Sequence, residues 1–244
     1  MTTPLINKLG RFMELTSEEE RILEGAVRRR ATIKKGVDII SEGQKPDEVR
    51  LIAEGWACRY KRLENGEQHI MAYLIPGDIC DLYTSILDQM DHSIRSLTPL
   101  KVIIFSPDEP SNLMEHNLRL ARALIWSSLV DEAILREWLV NAGTRTADKR
   151  LAHLFCELLL RSRAAGLTQD NSFELPLTQA ELGESMGITH VHINRVLRKL
   201  HRGNLIYLEN KRMFILDWER LKEYTQFNPN YLHYQLDPSK VPPT

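Results

Sequence analysis

Residues 177–206 have the sequence LTQAELGESMGITHVHINRVLRKLHRGNLI. Thr178, with Glu181 three residues later, has the capping-box pattern of a helix start, and Thr189 is suited to begin a second helix. Gly187 lies between the two and suits a left-handed turn position, because it has no Cβ. The pattern therefore predicts two short helices joined by a glycine-containing turn, which is the helix-turn-helix unit.

The second predicted helix has one apolar and one cationic side. Its apolar residues recur at i, i+3, i+4 and i+7 and predict a core-facing stripe of Ile193, Val196, Leu197 and Leu200. The opposite side is cationic, and no acidic residue occurs from Thr189 to Gly203. Such a side favours double-stranded DNA, because neutralised phosphates release counterions. The predicted DNA-binding residues are Thr178, Gln179, Thr189, His190, Val191, His192, Asn194, Arg195, Arg198 and Lys199.

The residue types on this helix predict different contacts in a major groove. Arg195 lies about two turns from the helix start, where a guanidinium can bind O6 and N7 of guanine. Asn194 suits adenine or a phosphate, whereas Val191 is limited to apolar contact such as a thymine methyl. For Lys199 and Arg202 the alternative is a solvated surface charge, which is the usual fate of charge runs.

The flanking segments complete a winged unit and add a β-rich half. Residues 203–216 predict strand–turn–strand with Lys211 and Arg212 at the tip, and residues 217–225 predict a closing helix. A capping-box pattern at residues 17–20 predicts a short helix to about residue 27. From about residue 32 to 105, short apolar runs separated by glycines predict a small antiparallel barrel or jelly roll, with a hairpin turn at residues 65–66.

Residues 111–141 predict one long helix that is apolar on two faces, and residues 141–144 are expected to break it. Two apolar faces need two partners, which we expect to be the barrel of the same chain and a second copy of the helix. The alternative is a helix buried within one monomer. The predicted dimer contacts are Leu118, Ala121, Leu124, Ile125, Leu129 and Leu135.

The predicted fold class is α+β: an N-terminal antiparallel β-roll that resembles a jelly roll, a long dimerisation helix and a C-terminal winged helix-turn-helix. The expected boundaries are 1–110 for a β-roll sensor domain, 111–143 for the dimerisation helix and hinge, 144–226 for the DNA-binding domain and 227–244 for an irregular tail.

Composition limits the remaining function classes. The 244 residues carry a net charge of −1, so that DNA binding has to be argued from where the cations lie. No apolar run is long enough for a membrane span, and no export signal precedes residue 12, so we expect a cytoplasmic protein without membrane contact. No catalytic motif occurs, and the spacing of the three cysteines matches no metal site; we expect neither an enzyme nor a bound metal or cofactor.

Over nearly its whole length the chain resembles the Crp/Fnr family of transcription regulators. The resemblance rests on the glycine-punctuated barrel, on Pro76-Gly77-Asp78 after its hairpin, on the long helix and on residues 177–206. It implies a β-roll of the cyclic-nucleotide-binding kind and a homodimer that binds a roughly palindromic DNA site. It also implies RNA polymerase as a further partner.

The chain departs from the better-known members at two places. Val191 stands where they carry glutamate, so the half-site should differ from theirs. In the effector pocket, implied to comprise Cys80, Asp81, Leu82, His92 and Ser93, His92 replaces the arginine that holds a cyclic phosphate. Cyclic AMP is therefore not expected as the effector.

Other effectors and functions receive less support from the sequence. An iron–sulfur cluster usually needs four cysteines, and haem ligation by His69, His92 or Cys80 rests on isolated residues. The alternative function is a small-molecule-binding module, for a cyclic nucleotide or haem, whose DNA contacts are vestigial.

Overall fold

The computed structural model describes residues 3–82, 87–168 and 170–234, and these form two compact units that divide after Asp131. The elements of the first unit are α1 (Thr3–Leu9), α2 (Ser17–Gly25), β1 (Val27–Ile33), β2 (Asp38–Ile40), β3 (Val49–Glu54), β4 (Ala57–Arg62), β5 (Gln68–Leu74), β6 (Ser93–Ser96), β7 (Leu100–Phe105) and α3 (Glu109–His116). Helix α4 (Leu118–Thr144) continues into the second unit. There it is followed by α5 (Ala147–Ala164), β8 (Ser172–Glu174), α6 (Gln179–Met186), α7 (His190–Arg202), β9 (Ile206–Glu209), β10 (Arg212–Ile215), α8 (Trp218–Thr225) and a 3₁₀ turn (Pro229–Leu232).

The N-terminal unit is an antiparallel sandwich. Strands β1, β7 and β3 form one sheet, and β2, β6, β4 and β5 form the other, each in that order. Buried side chains from both sheets share one core, including Ile52, Leu74, Ile94 and Val102. The hairpin β4–β5 turns at Gly66, which has a φ of +85°, as its asparagine–glycine sequence predicts. The predicted β-roll is confirmed.

The two N-terminal helices differ from the sequence prediction. Helix α1 was not predicted, and its Leu5, Lys8 and Leu9 are buried. The capping box of α2 lies one residue earlier than expected: Thr16 caps the helix and pairs with Glu19. Threonine and serine are similar caps, so the sequence alone did not separate the two registers.

The long helix also differs at both ends. Instead of one helix over 111–141, α3 ends at His116 and α4 begins at Leu118, because the Asn117 side chain accepts a hydrogen bond from the Leu120 amide at 3.0 Å and so starts a new helix. The expected break at residues 141–144 is wrong, since α4 runs to Thr144. One glycine within a helix costs only about 1 kcal/mol, which by itself need not end the helix.

The C-terminal unit contains the end of α4, helices α5, α6, α7 and α8, and a small sheet of order β8-β10-β9. Strand β8 has only three residues, and the predicted closing helix is α8, capped by Asp217. The tail is not irregular throughout: in the 3₁₀ turn Tyr231 is buried, and its hydroxyl donates to Glu157 Oε2 at 3.1 Å. The rest of the predicted tail, from residue 235, lies outside the described residues. No helix among those described is long and apolar enough to cross a membrane.

Candidate functional site

Helix α6 begins and ends with the two signals found in the sequence. Thr178 Oγ1 accepts the Glu181 amide at 3.1 Å, and Glu181 Oε2 accepts the Thr178 amide at 2.6 Å, which closes the capping box. Gly187 has a φ of +65° and donates its amide to the Gly183 carbonyl, so that the chain turns sharply toward α7. This local geometry fixes how α7 leaves α6.

Helix α7 has the two sides that its sequence predicts. Thr189 Oγ1 accepts the His192 amide at 3.3 Å and caps the helix. Ile193, Val196 and Leu200 are buried, and Leu197 is half-buried. On the opposite side, 56% of Val191 is exposed. The arginines of that side are also exposed and have no ion pair or side-chain hydrogen bond within the described part of the chain: Arg195, Arg198 and Arg202.

The other predicted contact residues differ in their exposure and in their partners. Thr178, Thr189 and His190 are exposed at helix starts, and His192 is half-buried. Asn194 Nδ2 donates to Gln179 Oε1 at 3.3 Å, so two of the predicted residues bind each other across α6 and α7. Asn194 keeps a second amide hydrogen and its carbonyl oxygen, which are what an adenine contact requires.

Lys199 is engaged as well, although its side chain is exposed. Its ammonium donates to the Asp148 carboxylate at the start of α5, which also accepts the hydroxyl of Tyr224 from α8. The lysine and the three arginines of α7 are therefore not equivalent: the lysine has a carboxylate partner, whereas the arginines have none among the residues that the structure describes.

The wing consists of β9 and β10, joined at Asn210 and Lys211. Both residues have positive φ, at 48° and 60°, as a tight primed turn requires. Lys211 is exposed at the tip. The guanidinium of Arg212, predicted to lie beside it, donates through Nε to Ser172 Oγ at 2.8 Å.

The residues implied for an effector pocket lie in the N-terminal unit in a polar setting. His92 Nδ1 lies 2.7 Å from Asp91 Oδ1, and Nε2 lies 3.7 Å from Asp81 Oδ2. Burial disfavours a charged His92, but the two carboxylates outweigh it and raise the pKa of the imidazole. Ser93 Oγ accepts a hydrogen bond from the Glu42 backbone amide at 2.9 Å, so this hydroxyl already has a main-chain partner.

The pocket prediction needs two corrections. Leu82 does not belong with the polar residues, because it lines an apolar cavity together with Leu5, Leu23 and Leu124. Cys80 is fully buried, and burial raises the pKa of its thiol to about 12, so the sulfur is a protonated core atom. His69, named with it for haem, is exposed on β5, where it pairs with Lys61 in the hairpin.

Sequence reasoning missed the arginine beside this pocket. Arg59 on β4 donates through Nη2 to the Cys80 carbonyl at 2.6 Å and pairs with Asp131 of α4 at 3.4 Å. Lys8 of α1 joins the group through Asp78 at 2.9 Å and Asp131 at 3.8 Å. The alternation of side chains along a strand could have indicated this position. Arg59 is two residues from the core residue Ala57, so the two side chains lie on the same face of β4.

Helix α4 has an exposed apolar face along its length. Of the six predicted dimer residues, Leu118, Ile125, Leu129 and Leu135 are exposed, by 41–73%. Ala121 and Leu124 are buried within the N-terminal unit, which corrects their assignment to a dimer contact. They lie on the helix face that packs against its own unit, and Leu124 reaches the apolar cavity under α1 and α2.

Two known domain families match consecutive parts of the chain. A "Crp-like helix-turn-helix domain" matches residues 149–224, and a "Cyclic nucleotide-binding domain" matches residues 30–117. The transcriptional activator protein FnrL of Cereibacter sphaeroides is 26% identical over 211 residues, covering 85% of this chain and 84% of FnrL. The transcriptional activator protein Anr of Pseudomonas protegens is 25% identical over 209 residues, covering 84% of each. This chain belongs to the Crp/Fnr family.

Solved structures give the same architecture for this Crp/Fnr regulator. FixK2 from Bradyrhizobium japonicum superposes with a TM-score of 0.70 at 19% identity, over 80% of this chain and 96% of FixK2. A CooA mutant from Carboxydothermus hydrogenoformans gives a TM-score of 0.62 at 17% identity, over 81% of this chain and 87% of CooA. The predicted α+β fold is confirmed, and so is the function as a DNA-binding transcription regulator of the Crp/Fnr type.

Proposed function

We propose that this Crp/Fnr regulator binds a roughly palindromic duplex as a homodimer, with α7 of each protomer in the major groove. The observation that carries the proposal is the outer side of α7, where three arginines are exposed and unpaired among the described residues. A helix with this charge and an apolar underside fits the groove as the second helix of such motifs does.

The proposed contacts follow from the chemistry of each side chain. Arg195 reads guanine, and Val191 packs on a thymine methyl. Asn194 reads adenine or holds a phosphate, and the two histidines at the amino end, His190 and His192, meet base edges or backbone. Phosphates bind to the remaining groups: Thr178, Gln179, Thr189, Arg198 and Arg202.

The test is binding to a duplex selected from random sequences, at one fixed salt concentration. Removing a guanine-reading arginine costs about 1–3 kcal/mol, so Arg195→Ala should weaken operator binding about 5- to 150-fold and relax the preference at one base pair. Arg62→Ala is the matched control, since it removes the same charge from an exposed strand end in the N-terminal unit. Equal operator affinity for Arg195→Ala and the control would refute the base-reading role.

The dimer is supported by the exposed face of α4. An apolar face of this kind is unfavourable in water, and a second copy of the same helix is a self-complementary cover with the symmetry that a palindrome needs. Contact with RNA polymerase and a cytoplasmic location are part of the same proposal, on the ground that the relatives are transcriptional activators.

We further propose that cyclic AMP is not the effector. The arginine nearest the pocket, Arg59, already binds two main-chain carbonyls and Asp131. A cyclic phosphate would have to displace those contacts, and it would approach Asp81 and Asp91 on either side of His92. Among the described residues around the pocket, none supplies a free guanidinium for the bidentate contact that a phosphate favours.

A further inference from the structure

The carboxylate of Asp148 lies at the meeting point of three helices in the C-terminal unit. Asp148 is in the first turn of α5, Lys199 is in the third turn of α7, and Tyr224 is near the end of α8. Both Lys199 Nζ and the Tyr224 hydroxyl donate to Asp148 Oδ2, and Thr146 Oγ1 donates to Oδ1 at 2.6 Å. Lys199 Nζ also lies 6.0 Å from the centre of the Tyr224 ring.

This carboxylate is held in its ionised form. Partial burial would raise the pKa of Asp148, but the hydrogen bonds from Lys199, Thr146 and Tyr224 lower it well below its ordinary value. The position in the first turn of α5 adds the favourable field of a helix amino end. Asp148 therefore presents a permanent anion to α7 at neutral pH.

The lysine that it binds differs from the other cations of α7 in position. At 3.6 residues per turn, Arg195, Arg198 and Arg202 lie on the side of α7 opposite its buried residues. Lys199 lies at the edge of that side, next to His192. The side chain of Asp148 is only 13% exposed, but that of Lys199 is 64% exposed and so is accessible from solvent.

We propose that Asp148 is a positioning residue that holds Lys199 off the DNA, with the carboxylate in the place a phosphate would take. The pair ties the carboxyl-terminal half of α7 to α5 and α8, and it lowers the affinity of α7 for any duplex regardless of sequence. Lys199 is thereby removed from the set of DNA contacts expected from the sequence. The reading of bases is left to the free arginines.

The test is the salt dependence of binding to a random-sequence duplex, measured with the full-length protein. The logarithm of the affinity falls with the logarithm of the salt concentration with a slope of about −0.9 per neutralised phosphate. Asp148→Asn keeps the shape and releases Lys199, so the slope should steepen by about 0.9 per protomer. Between 200 and 50 mM salt this is an additional gain of about 3.5-fold per protomer.

Two further variants test whether Asp148 holds Lys199 away from the DNA or whether Lys199 binds a phosphate in the native protein. In Asp148→Asn combined with Lys199→Gln, the slope should return to the wild-type value. Lys199→Gln alone leaves α5 intact and should also keep the wild-type slope. If Lys199 binds a phosphate in the native protein, both variants instead lose about 0.9 per protomer, which would overturn the proposal.

Glu54→Gln serves as the matched charge control. It releases Lys101 from an exposed pair at 2.9 Å in the N-terminal unit and adds the same single positive charge. Its slope should equal that of the wild type. A steeper slope in Glu54→Gln as large as that in Asp148→Asn would assign the effect to net charge and refute the role of Asp148. An unchanged slope in a folded Asp148→Asn would refute it as well.

Discussion

Gly183 in α6 should not tolerate even a methyl group. A Cβ at this position would lie 2.5 Å from the Ile188 carbonyl oxygen, whereas Cβ atoms essentially never come within 3.0 Å of another heavy atom. The same Cβ would lie 3.6 Å from the His190 amide nitrogen. Since the obstruction is backbone, Gly183→Ala has to move the turn, and with it the start of α7, by about 0.5 Å or more.

The size of the effect follows from two opposing contributions. Forcing a methyl group into a close-packed contact costs about 1–3 kcal/mol, and replacing glycine by alanine within a helix returns up to about 1 kcal/mol. We therefore expect a net loss of about 1–2 kcal/mol in the stability of the C-terminal unit. A displacement of α7 should also weaken operator binding by roughly tenfold, which corresponds to about 1.4 kcal/mol.

Urea titration with hydrogen exchange in residues 178–203 measures the first effect, and operator binding measures the second. Gly203→Ala is the control within the same motif, because its Cβ would keep 3.4 Å or more from every neighbour and its φ is −77°. The control should change stability by less than about 0.5 kcal/mol. If Gly183→Ala were as stable as Gly203→Ala and exchanged no faster, the close approach of α6 to the turn would be disproved.

Three other outcomes follow from the structure. Leu129→Asp should raise the dimer dissociation constant about 10- to 100-fold in sedimentation, because it would bury an unpaired carboxylate in the dimer contact. Leu63→Asp, on the exposed hairpin, should leave this constant unchanged. Equal dissociation constants for the two variants would show that this face of α4 is not the dimer contact. Calorimetric titration with cyclic AMP or cyclic GMP should give no saturable heat, and a micromolar constant would contradict the pocket assignment. Burial lowers the pKa of His153 from an ordinary 6.5 to about 3. Between these two pH values His153 is protonated in the unfolded chain but not in the folded protein. The free energy of unfolding should therefore fall as the pH drops from 6.5, by at most about 1.4 kcal/mol per pH unit. In His153→Asn it should fall less steeply. Urea titrations that give the same pH profile for this variant and the wild type would refute the prediction.

The helix-turn-helix could be predicted because its signals are local. Thr178 and Glu181 are three residues apart, and Gly187 and Thr189 follow within one turn of the helix end. Side-chain periodicity then settled which side of α7 is buried. The hydrogen bonds that cap α6 and α7 join residues within the segment itself.

The parts that sequence reasoning missed depend on distant partners or on near-equivalent residues. Lys199 binds Asp148, 51 positions earlier, and Arg59 binds Asp131, 72 positions later. No local sequence pattern predicts contacts over such separations. Thr16 and Ser17 are equally suited as caps, which shifted the predicted start of α2 by one residue. A single asparagine at 117 divided a helix whose apolar pattern continues across it.

The same difference between local and distant contacts decides how each part of the protein should tolerate substitution. Helix α4 is fixed on one side by Asp131, which binds Arg59 and Lys8, and all three charges come from elements far apart in the sequence. Breaking such a group by removing one partner leaves an uncompensated buried charge, whereas replacing all of it by apolar residues need not destabilise the fold. The group of Lys8, Arg59 and Asp131 should therefore tolerate a joint replacement by apolar residues better than the loss of one member. The exposed side of α7, by contrast, has no such partners among the described residues, so that one substitution there changes one proposed base contact, as Val191 illustrates.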